Sequence, residues 1–304
     1  AVPYYSGNGK NLFDDVTMED LSKSPQLPVP PGWSEDDLRQ MVSSIQVEDG
    51  SLEELKNYVD ADFKRFVYTL GLVPDDAGQT ILELGANPYF MTTLLRKFRK
   101  ADLHLANFFG SSERDGKQMV TIHSTGEVIE YHYRQFNIEA DAFPYQENFF
   151  DVVLFCEIIE HLLSDPVHAL TEIRRVLKPG GDLIVTTPNV ARLDNVRKII
   201  AGHNVYDPYS GHGPYGRHNR EYTQEDLFDL LSSNGFSIRT MFTADVNSGP
   251  KSDVPLNAIA HLVKQRQTDL GQYIFCRCSV NHESKGITAQ RPEWLYRGTS
   301  TTET

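Results

Sequence analysis

The chain has 304 residues, of which 39% are hydrophobic and 23% are charged, a composition typical of a globular protein with a full core. Its formal net charge of −13 argues against a protein that neutralises phosphates, so we expect no nucleic-acid partner. No apolar run approaches the ~18 residues that a membrane span requires. The N-terminus does not resemble a secretory signal, and three cysteines lack a disulfide spacing, so we expect a cytoplasmic protein with free thiols.

The first part of the chain predicts an irregular arm followed by two helices. Residues 1–33 are rich in Pro, Ser and Gly. Helix-capping patterns begin at Ser34 and Ser51, and the second opens an apolar series with helical spacing that ends at Gly71. We therefore predict that residues 1–74 form an arm and a helical cap.

From residue 75 onwards, short apolar strands alternate with amphipathic helices. The predicted strands are residues 80–84, 102–106, 136–139, 151–155, 182–186, 236–242 and 273–278. Helices are predicted at residues 91–100, 166–177 and 191–202, and again from residue 224. Alternation of this kind is typical of a mostly parallel sheet with right-handed crossovers. The sequence thus predicts one α/β domain over residues 75–280, followed by a tail at residues 281–304.

The strand at residues 80–84 runs directly into a glycine turn that begins at Gly85. A glycine at a strand exit lets the backbone approach a ligand closely, and open α/β sheets bind ligands at this edge. A purely structural turn remains an equal alternative. The turn cannot supply the G-x-G-x-x-G fingerprint of a nicotinamide-dependent dehydrogenase, so that class is disfavoured.

A run of segments downstream of the turn carries a family resemblance. In order, they read EADAFPY from residue 139, FFDVVL from 149, EIIEHL from 157, EIRRVLKPGG from 172 and TTPN from 186. In this order and spacing they resemble the class I S-adenosylmethionine-dependent methyltransferases, within the group that includes ubiquinone-type and small-molecule methyltransferases. The resemblance covers roughly residues 78–280. It implies a Rossmann-like methyltransferase fold, with a doubly wound, seven-stranded mixed sheet, and S-adenosylmethionine as the cofactor.

The resemblance also implies the residues that bind this cofactor. They are Glu83, Gly85, Ala86, Asn87, Asn107, Glu139, Ala140, Asp141, Cys156 and Glu157. Gly85 would lie under the amino-acid part of the cofactor, and residues 139–140, with Asp141 as the rival register, would meet the adenine. The chain departs from the family pattern at Asn87 and Tyr89, where glycine is common, and at Asn107, where a carboxylate commonly binds the ribose. An amide offers one acceptor and one donor group instead of a bidentate anion.

The acceptor side is predicted in a lid insertion at residues 190–222, although a surface loop remains an alternative. The predicted acceptor-binding residues are Tyr209, His212, Tyr215, Arg220 and Tyr222. His161 or His218 is the predicted catalytic base, because an imidazole titrates near neutral pH. A helix-capping or packing role for His161 stays open. No metal is predicted, since the spacing of the histidines in this insertion matches no defined metal motif.

These features predict methyl transfer from S-adenosylmethionine to a small molecule. A polar segment rich in His and Tyr suits a hydroxylated acceptor, so O-methylation of a sugar or a similar metabolite is favoured. The insertion also loosely resembles methyltransferases of bacterial sugar and polysaccharide pathways. The alternatives are a quinone, lipid or amine acceptor, and a non-catalytic binding protein with the same fold. The oligomeric state is not predicted.

Overall fold

The computed structural model describes residues 17–249, 254–280, 290–293 and 295–296. In these ranges, strands join into one sheet in the order β1-β4-β5-β3-β2-β6-β7-β9-β8. The strands are β1 (Ile45–Val47), β2 (Thr80–Leu84), β3 (Asp102–Asn107), β4 (Asp115–Ile122), β5 (Glu127–Gln135), β6 (Phe150–Cys156), β7 (Leu177–Pro188), β8 (Phe236–Ala244) and β9 (Tyr273–Val280). Of the predicted tail at residues 281–304 only residues 290–293 and 295–296 are described, and the first sixteen residues of the predicted arm lie outside the described residues.

The centre of the sheet is parallel, as the alternating pattern predicted. Strand β2 pairs with β3 and β6, β3 pairs with β5, and β6 pairs with β7, all in parallel. At the far edge β9 runs antiparallel between β7 and β8. The carboxyl ends of β2, β3 and β6 therefore meet at one edge of the sheet, where open α/β folds bind ligands.

Helices cover both faces of the sheet. They are α1 (Met18–Leu21), α2 (Glu35–Val42), α3 (Leu52–Leu72), α4 (Phe90–Phe98), α5 (Pro166–Val176), α6 (Leu193–Ile200), α7 (Gln224–Ser233) and α8 (Leu256–Val263). Successive residues of a strand point to opposite faces. Accordingly, Ile81 of β2 packs in the core beneath α2, α3 and α4, whereas Leu82 packs in the core beneath α5 and α7. The sheet is thus doubly wound, and the predicted α/β fold is confirmed.

The predicted strand at residues 136–139 is wrong, and so is the total of seven strands. Residues 136–141 form a loop and turn after β5, and the chain reaches that point through an antiparallel hairpin of β4 and β5. Both hairpin strands alternate between buried and accessible residues. The continuous apolar runs that predict buried strands are therefore missing from them. Strand β1 adds to the outer edge of the hairpin.

The N-terminal helices begin at the predicted capping residues. The Ser34 hydroxyl accepts a hydrogen bond from the Asp37 amide, and the Ser51 hydroxyl accepts one from the Glu54 amide. The apolar stripe of α3, including Phe63 and Phe66, is buried in the core. No helix in the described ranges has the length and apolarity to cross a membrane.

Helix α6, predicted at residues 191–202, buries only part of its apolar residues. Leu193 is buried and Val196 packs beside it, but Ile199 and Ile200 are 61% and 50% exposed. The helix ends at Ile200, so its last turn extends beyond the surface that Leu193 covers.

Candidate functional site: the carboxyl edge of the sheet

The turn after β2 requires a glycine at its first position. Gly85 has a φ of 68°, in the left-handed region that side chains rarely adopt. The amides of Gly85 and Ala86 donate to the Ala106 carbonyl at 2.8 and 3.2 Å, which ties the turn to β3. A Cβ atom at Gly85 would lie only 3.0 Å from the Cδ1 atom of Ile158. Any larger residue would therefore be strained at this φ and would have to displace the Ile158 side chain.

Asn107 holds this turn with both ends of its amide. Its Oδ1 accepts from the Asn87 backbone amide at 2.9 Å, and its Nδ2 donates to the Tyr89 hydroxyl at 3.1 Å. That hydroxyl donates in turn to Gln118 Oε1 at 2.6 Å. A buried group that must accept on one side and donate on the other suits an amide. The amide at this position, in place of the family's usual carboxylate, therefore matches the partners around it.

Tyr89 has a backbone conformation that normally favours glycine. Its φ of 70° lies in the left-handed region, and α4 begins at the next residue. The side chain is fully buried and stacks on Tyr131 of β5, with ring centroids 5.1 Å apart. Left-handed strain of about 1 kcal/mol or more in a non-glycine residue must be offset elsewhere. The stacking and the hydroxyl network around Tyr89 supply that compensation.

Two cavities meet at the turn. The first, of about 210 Å³, is lined by Leu84, Gly85, Ala106, Asn107, Phe108, Phe136, Asn137, Ile138, Glu157, Ile158, His161, Leu162 and Tyr215. The second, of about 160 Å³, is lined by Tyr58, Arg65, Phe66, Glu83, Leu84, Gly85, Ala86, Asn87, Pro88, Phe90, Met91, Leu154, Cys156, Glu157 and Ile158. They share Leu84, Gly85, Glu157 and Ile158. The pair of cavities thus forms one bent cleft over the ends of β2, β3 and β6.

The predicted cofactor residues divide between the two cavities, with three exceptions. Glu83, Ala86, Asn87 and Cys156 line the second cavity, Asn107 lines the first, and Gly85 and Glu157 line both. Residues 139–141 do not line either one. Their place is taken by residues 136–138, because β5 ends at Gln135 and the chain leaves the sheet earlier than the sequence indicated.

The side chains of residues 139 and 141 hold the surrounding loop. Glu139 Oε1 accepts from the backbone amides of Leu163 and Ser164, both at 2.8 Å. The Asp141 carboxylate accepts from the Asn137 amide at 2.8 Å. These bonds fix the loop in which residues 136–138 face the first cavity.

The carboxyl groups of Glu83, which is buried, and of Glu157, which is half-buried, border the second cavity. Burial raises the pKa of Glu83 to about 8, although the hydrogen bond from the Thr92 hydroxyl at 2.6 Å opposes the shift. Burial also raises the pKa of Glu157, against the effect of the nearby Arg65 guanidinium and of the Thr186 hydroxyl, which donates to Glu157 at 2.8 Å. Glu83 is therefore protonated at neutral pH, and Arg65 favours the charged form of Glu157.

Arg65 is a site residue that the sequence reasoning missed. It lies on α3 between two core phenylalanines, is only 5% exposed and lines the second cavity. Its Nε donates to Asp62 at 3.1 Å, and its Nη2 donates to the Tyr58 hydroxyl at 2.6 Å. The available signal was a charged residue beside an apolar helix stripe, since arginine is almost never buried without partners.

The structure brings His161 and His218 together, although 57 positions separate them. Their ring centroids are 4.9 Å apart and the rings are nearly perpendicular. His161 Nδ1 bonds the Arg217 carbonyl at 2.9 Å, and His218 Nδ1 bonds Glu221 at 2.9 Å. Burial lowers the pKa of His161. Burial acts in the same direction on His218, but Glu221 and Asp207 outweigh it, so that its pKa is raised.

The predicted acceptor-binding residues extend beyond the two cavities of the cleft. Tyr215 lines the first cavity and meets Phe108 edge to face, with ring centroids 6.0 Å apart. Tyr209 is 92% exposed and His212 is exposed as well. Arg220 lies over the Tyr222 ring at 5.7 Å, and Tyr222 itself is buried in the core. Of the five, Tyr215 alone lines the cleft.

A family model and several known proteins match part of this chain. Residues 106–185 match the family model for a methyltransferase domain. Ubiquinone biosynthesis O-methyltransferase from Roseobacter denitrificans is 33% identical over 116 residues, or 38% of this chain and 44% of that protein. Ubiquinone/menaquinone biosynthesis C-methyltransferase UbiE from Vibrio cholerae is 31% identical over 137 residues, or 44% of this chain and 48% of that protein. The match therefore spans less than half the length of each relative.

Among solved structures, the chain is similar to the complex between the Haloferax volcanii Trm112 methyltransferase activator and the putative methyltransferase. The sequences are 14% identical, the TM-score is 0.49, and the alignment covers 81% of this chain and 98% of that chain.

The doubly wound sheet with its glycine turn is a Rossmann-like α/β fold. Residues 106–185 therefore carry a methyltransferase domain, distantly related to the ubiquinone-pathway methyltransferases named above. S-adenosylmethionine is the methyl donor of this family.

Proposed function

We propose that the chain transfers the methyl group of S-adenosylmethionine to a small-molecule acceptor, at a hydroxyl oxygen of a sugar or a similar metabolite. The observation that carries the proposal is the bent cleft whose two arms meet at Gly85 and Glu157. S-adenosylmethionine likewise has two arms, adenosine and methionine, joined at the sulfonium. The sulfonium would lie at the bend.

The first cavity suits the adenosine arm. Phe108, Phe136 and Tyr215 offer aromatic surface to a flat base, and Asn137 adds a polar group. The Asn107 amide is occupied by the turn, but its oxygen keeps a second lone pair that a ribose hydroxyl could use.

The second cavity suits the methionine arm. The Arg65 guanidinium would bind the methionine carboxylate, because its planar donors match a carboxylate. Tyr58 and Asp62 already hold Arg65 in position, which lowers the entropic cost of binding. The Glu157 carboxylate would favour the methionine ammonium group.

The acceptor would enter beside His161, which lines the first cavity, and beside His218, whose ring packs against that of His161. In the reaction, a lone pair of the acceptor oxygen forms a bond to the methyl carbon. The carbon–sulfur bond breaks, its electron pair stays on sulfur, and the cofactor leaves as S-adenosylhomocysteine. The hydroxyl proton passes to an imidazole, and alignment in the cleft provides much of the rate.

The printed functions of the relatives favour a second candidate acceptor. Both are ubiquinone-pathway methyltransferases, one acting at oxygen and one at carbon. Ile158, where the two cavities meet, and Leu162, beside His161, offer apolar surface that would also suit a quinol ring entering next to the cofactor. A lipid or amine acceptor and a non-catalytic binding protein are the remaining alternatives.

Calorimetry with S-adenosylhomocysteine tests the cofactor part of the proposal. We expect binding in wild type and at least tenfold weaker binding in Arg65→Met, while Arg134→Met, which changes an exposed arginine on β5, binds as wild type does. Absence of binding at millimolar ligand would remove the proposal.

Acceptor assays test the proposed methyl transfer and the class of acceptor. Formation of S-adenosylhomocysteine is measured with panels of sugars, catechols and quinols, and amines. Turnover with sugars alone supports the first candidate, turnover with quinols alone supports the second, and cofactor binding without turnover on any panel supports the binding protein.

A further inference from the structure

Three side chains with metal-binding atoms converge at the acceptor end of the cleft. They are Glu160 and His161, in the short turn after β6, and His218, in the insertion after α6. One ligand atom from each lies within 4.8 Å of the others. Local sequence patterns did not indicate this grouping, because the spacing from residue 161 to residue 218 matches no short metal motif.

Glu160 carries an unsatisfied oxygen into this cluster. The residue is completely buried, and its Oε2 accepts from the Thr187 hydroxyl at 3.0 Å. Its Oε1 has no hydrogen-bond partner among the described residues and lies 3.9 Å from His161 Nε2. A buried carboxylate oxygen without a partner is costly, and bound cations are one of the ways in which proteins satisfy it.

Each imidazole already has one nitrogen occupied. His161 Nδ1 donates to a backbone carbonyl, which leaves the Nε2 lone pair free on the side of Glu160. His218 Nδ1 bonds the Glu221 carboxylate, which leaves its Nε2 as the available nitrogen. Metal-binding histidines commonly have this arrangement, in which the second nitrogen bonds a carbonyl or a carboxylate and so fixes the ring.

We propose that Glu160, His161 and His218 bind a divalent transition-metal cation at the acceptor end of the cleft. Two imidazoles and a carboxylate suit Mn²⁺, Fe²⁺ or Zn²⁺ better than Mg²⁺ or Ca²⁺. Bonds of about 2.0–2.2 Å separate neighbouring ligand atoms by roughly 3–4 Å, so side-chain movements of about an ångström or less would close the site.

The cation would also act on the acceptor, an extension that rests on the proposed function. Three protein ligands leave coordination positions open for an acceptor hydroxyl. A coordinated hydroxyl loses its proton more readily, as metal-bound water does, and with both imidazoles bound to the cation the proton would pass to solvent water. The site would therefore select acceptors that present oxygen, and it would generate the nucleophile at neutral pH.

The first experiment measures cation binding without cofactor or acceptor. The full chain is titrated with MnCl₂, and free Mn²⁺ is followed by electron paramagnetic resonance. We expect one site per chain, with at least tenfold weaker binding in Glu160→Gln and in His218→Ala. The control is His203→Ala, which removes an exposed histidine of the same insertion and should leave binding unchanged.

A second measurement separates the cation site from the fold and from methyl transfer. S-adenosylhomocysteine binding should stay within about twofold of wild type in His218→Ala, because this residue lines neither cavity of the cleft. If Glu160→Gln does not fold, His218→Ala carries the test. Mn²⁺ binding that depends on these residues in a chain that does not bind S-adenosylhomocysteine would retain the site and remove the proposed function.

Three results would each overturn the cation site. The first is a wild-type chain that does not bind Mn²⁺ stoichiometrically. The second is binding that survives Glu160→Gln and His218→Ala. Loss of binding in Asp207→Asn without loss in Glu160→Gln would also overturn it, because His218 would then bind the cation through its other face, with Asp207 and Glu221.

Discussion

Glu83 should make the folded chain less stable as pH rises, and Glu83→Gln should remove that effect. The carboxyl group is buried at the end of β2 and has a pKa near 8, against an ordinary value of 4.5. Between these two values the folded protein holds a proton that the unfolded chain has released. Because the folded state binds more protons, the free energy of unfolding falls as pH increases across this window.

The size of the effect follows from the pKa shift. Each pH unit well inside the window lowers the free energy of unfolding by about 1.4 kcal/mol. Between pH 5 and pH 7 wild type should therefore lose about 2 to 3 kcal/mol relative to Glu83→Gln. Glutamine imitates the protonated carboxyl group and can still accept the hydrogen bond from Thr92.

Urea unfolding at pH 5, 6 and 7 measures this difference without cofactor. The control is Glu147→Gln, which changes an exposed carboxylate in a loop and should follow wild type at each pH. Parallel pH dependence in wild type and Glu83→Gln would refute the reasoning, since it would mean that Glu83 is ionised in the folded protein. A rise in wild-type stability relative to Glu83→Gln would refute it more strongly.

Three further predictions concern the cleft. Gly85→Val should weaken S-adenosylhomocysteine binding by roughly 100-fold or more in calorimetry, because valine is strained at a positive φ and its Cβ would crowd Ile158; unchanged affinity would contradict this. Tyr89→Phe should lower the free energy of unfolding in urea by about 1–3 kcal/mol, because Asn107 Nδ2 would lose its acceptor. A loss below about 0.5 kcal/mol would show that the hydrogen bonds of the Tyr89 hydroxyl contribute little to stability. Tyr215→Ala should raise the dissociation constant of S-adenosylhomocysteine by about 3- to 10-fold, as expected for a lost aromatic contact; a change in acceptor KM alone would return Tyr215 to the acceptor side.

The central strands could be predicted because each one is buried on both faces. Residues of β2 and β6 alternate between the two cores, so these strands appear in the sequence as continuous apolar runs. The hairpin of β4 and β5 has a partly exposed face and lacks such runs. The sequence therefore predicted a strand at residues 136–139, after the hairpin. For that reason the adenine contacts were expected at residues 139–141, whereas residues 136–138 line the cavity.

The site was predictable only where a residue follows a strand end. Gly85 was indicated by its place at the exit of β2 and Asn107 by the family resemblance, and both line the cleft. The partners that explain Asn107 come from elsewhere, since Gln118 belongs to the hairpin. Arg65 and the contact between His161 and His218 depend on helix packing and on the path of the insertion, which local patterns do not encode.

The contact between the turn and the hairpin has an evolutionary consequence. Tyr89 fills the space between them, stacking on Tyr131 and bonding Gln118. A substitution to glycine at position 89 would suit the backbone but leave a hole beside Tyr131, and it would remove the hydroxyl that donates to Gln118 and accepts from Asn107 Nδ2. We therefore expect positions 89, 118 and 131 to covary among relatives of this chain. A relative with glycine at position 89 should therefore also differ at positions 118 and 131 of the hairpin.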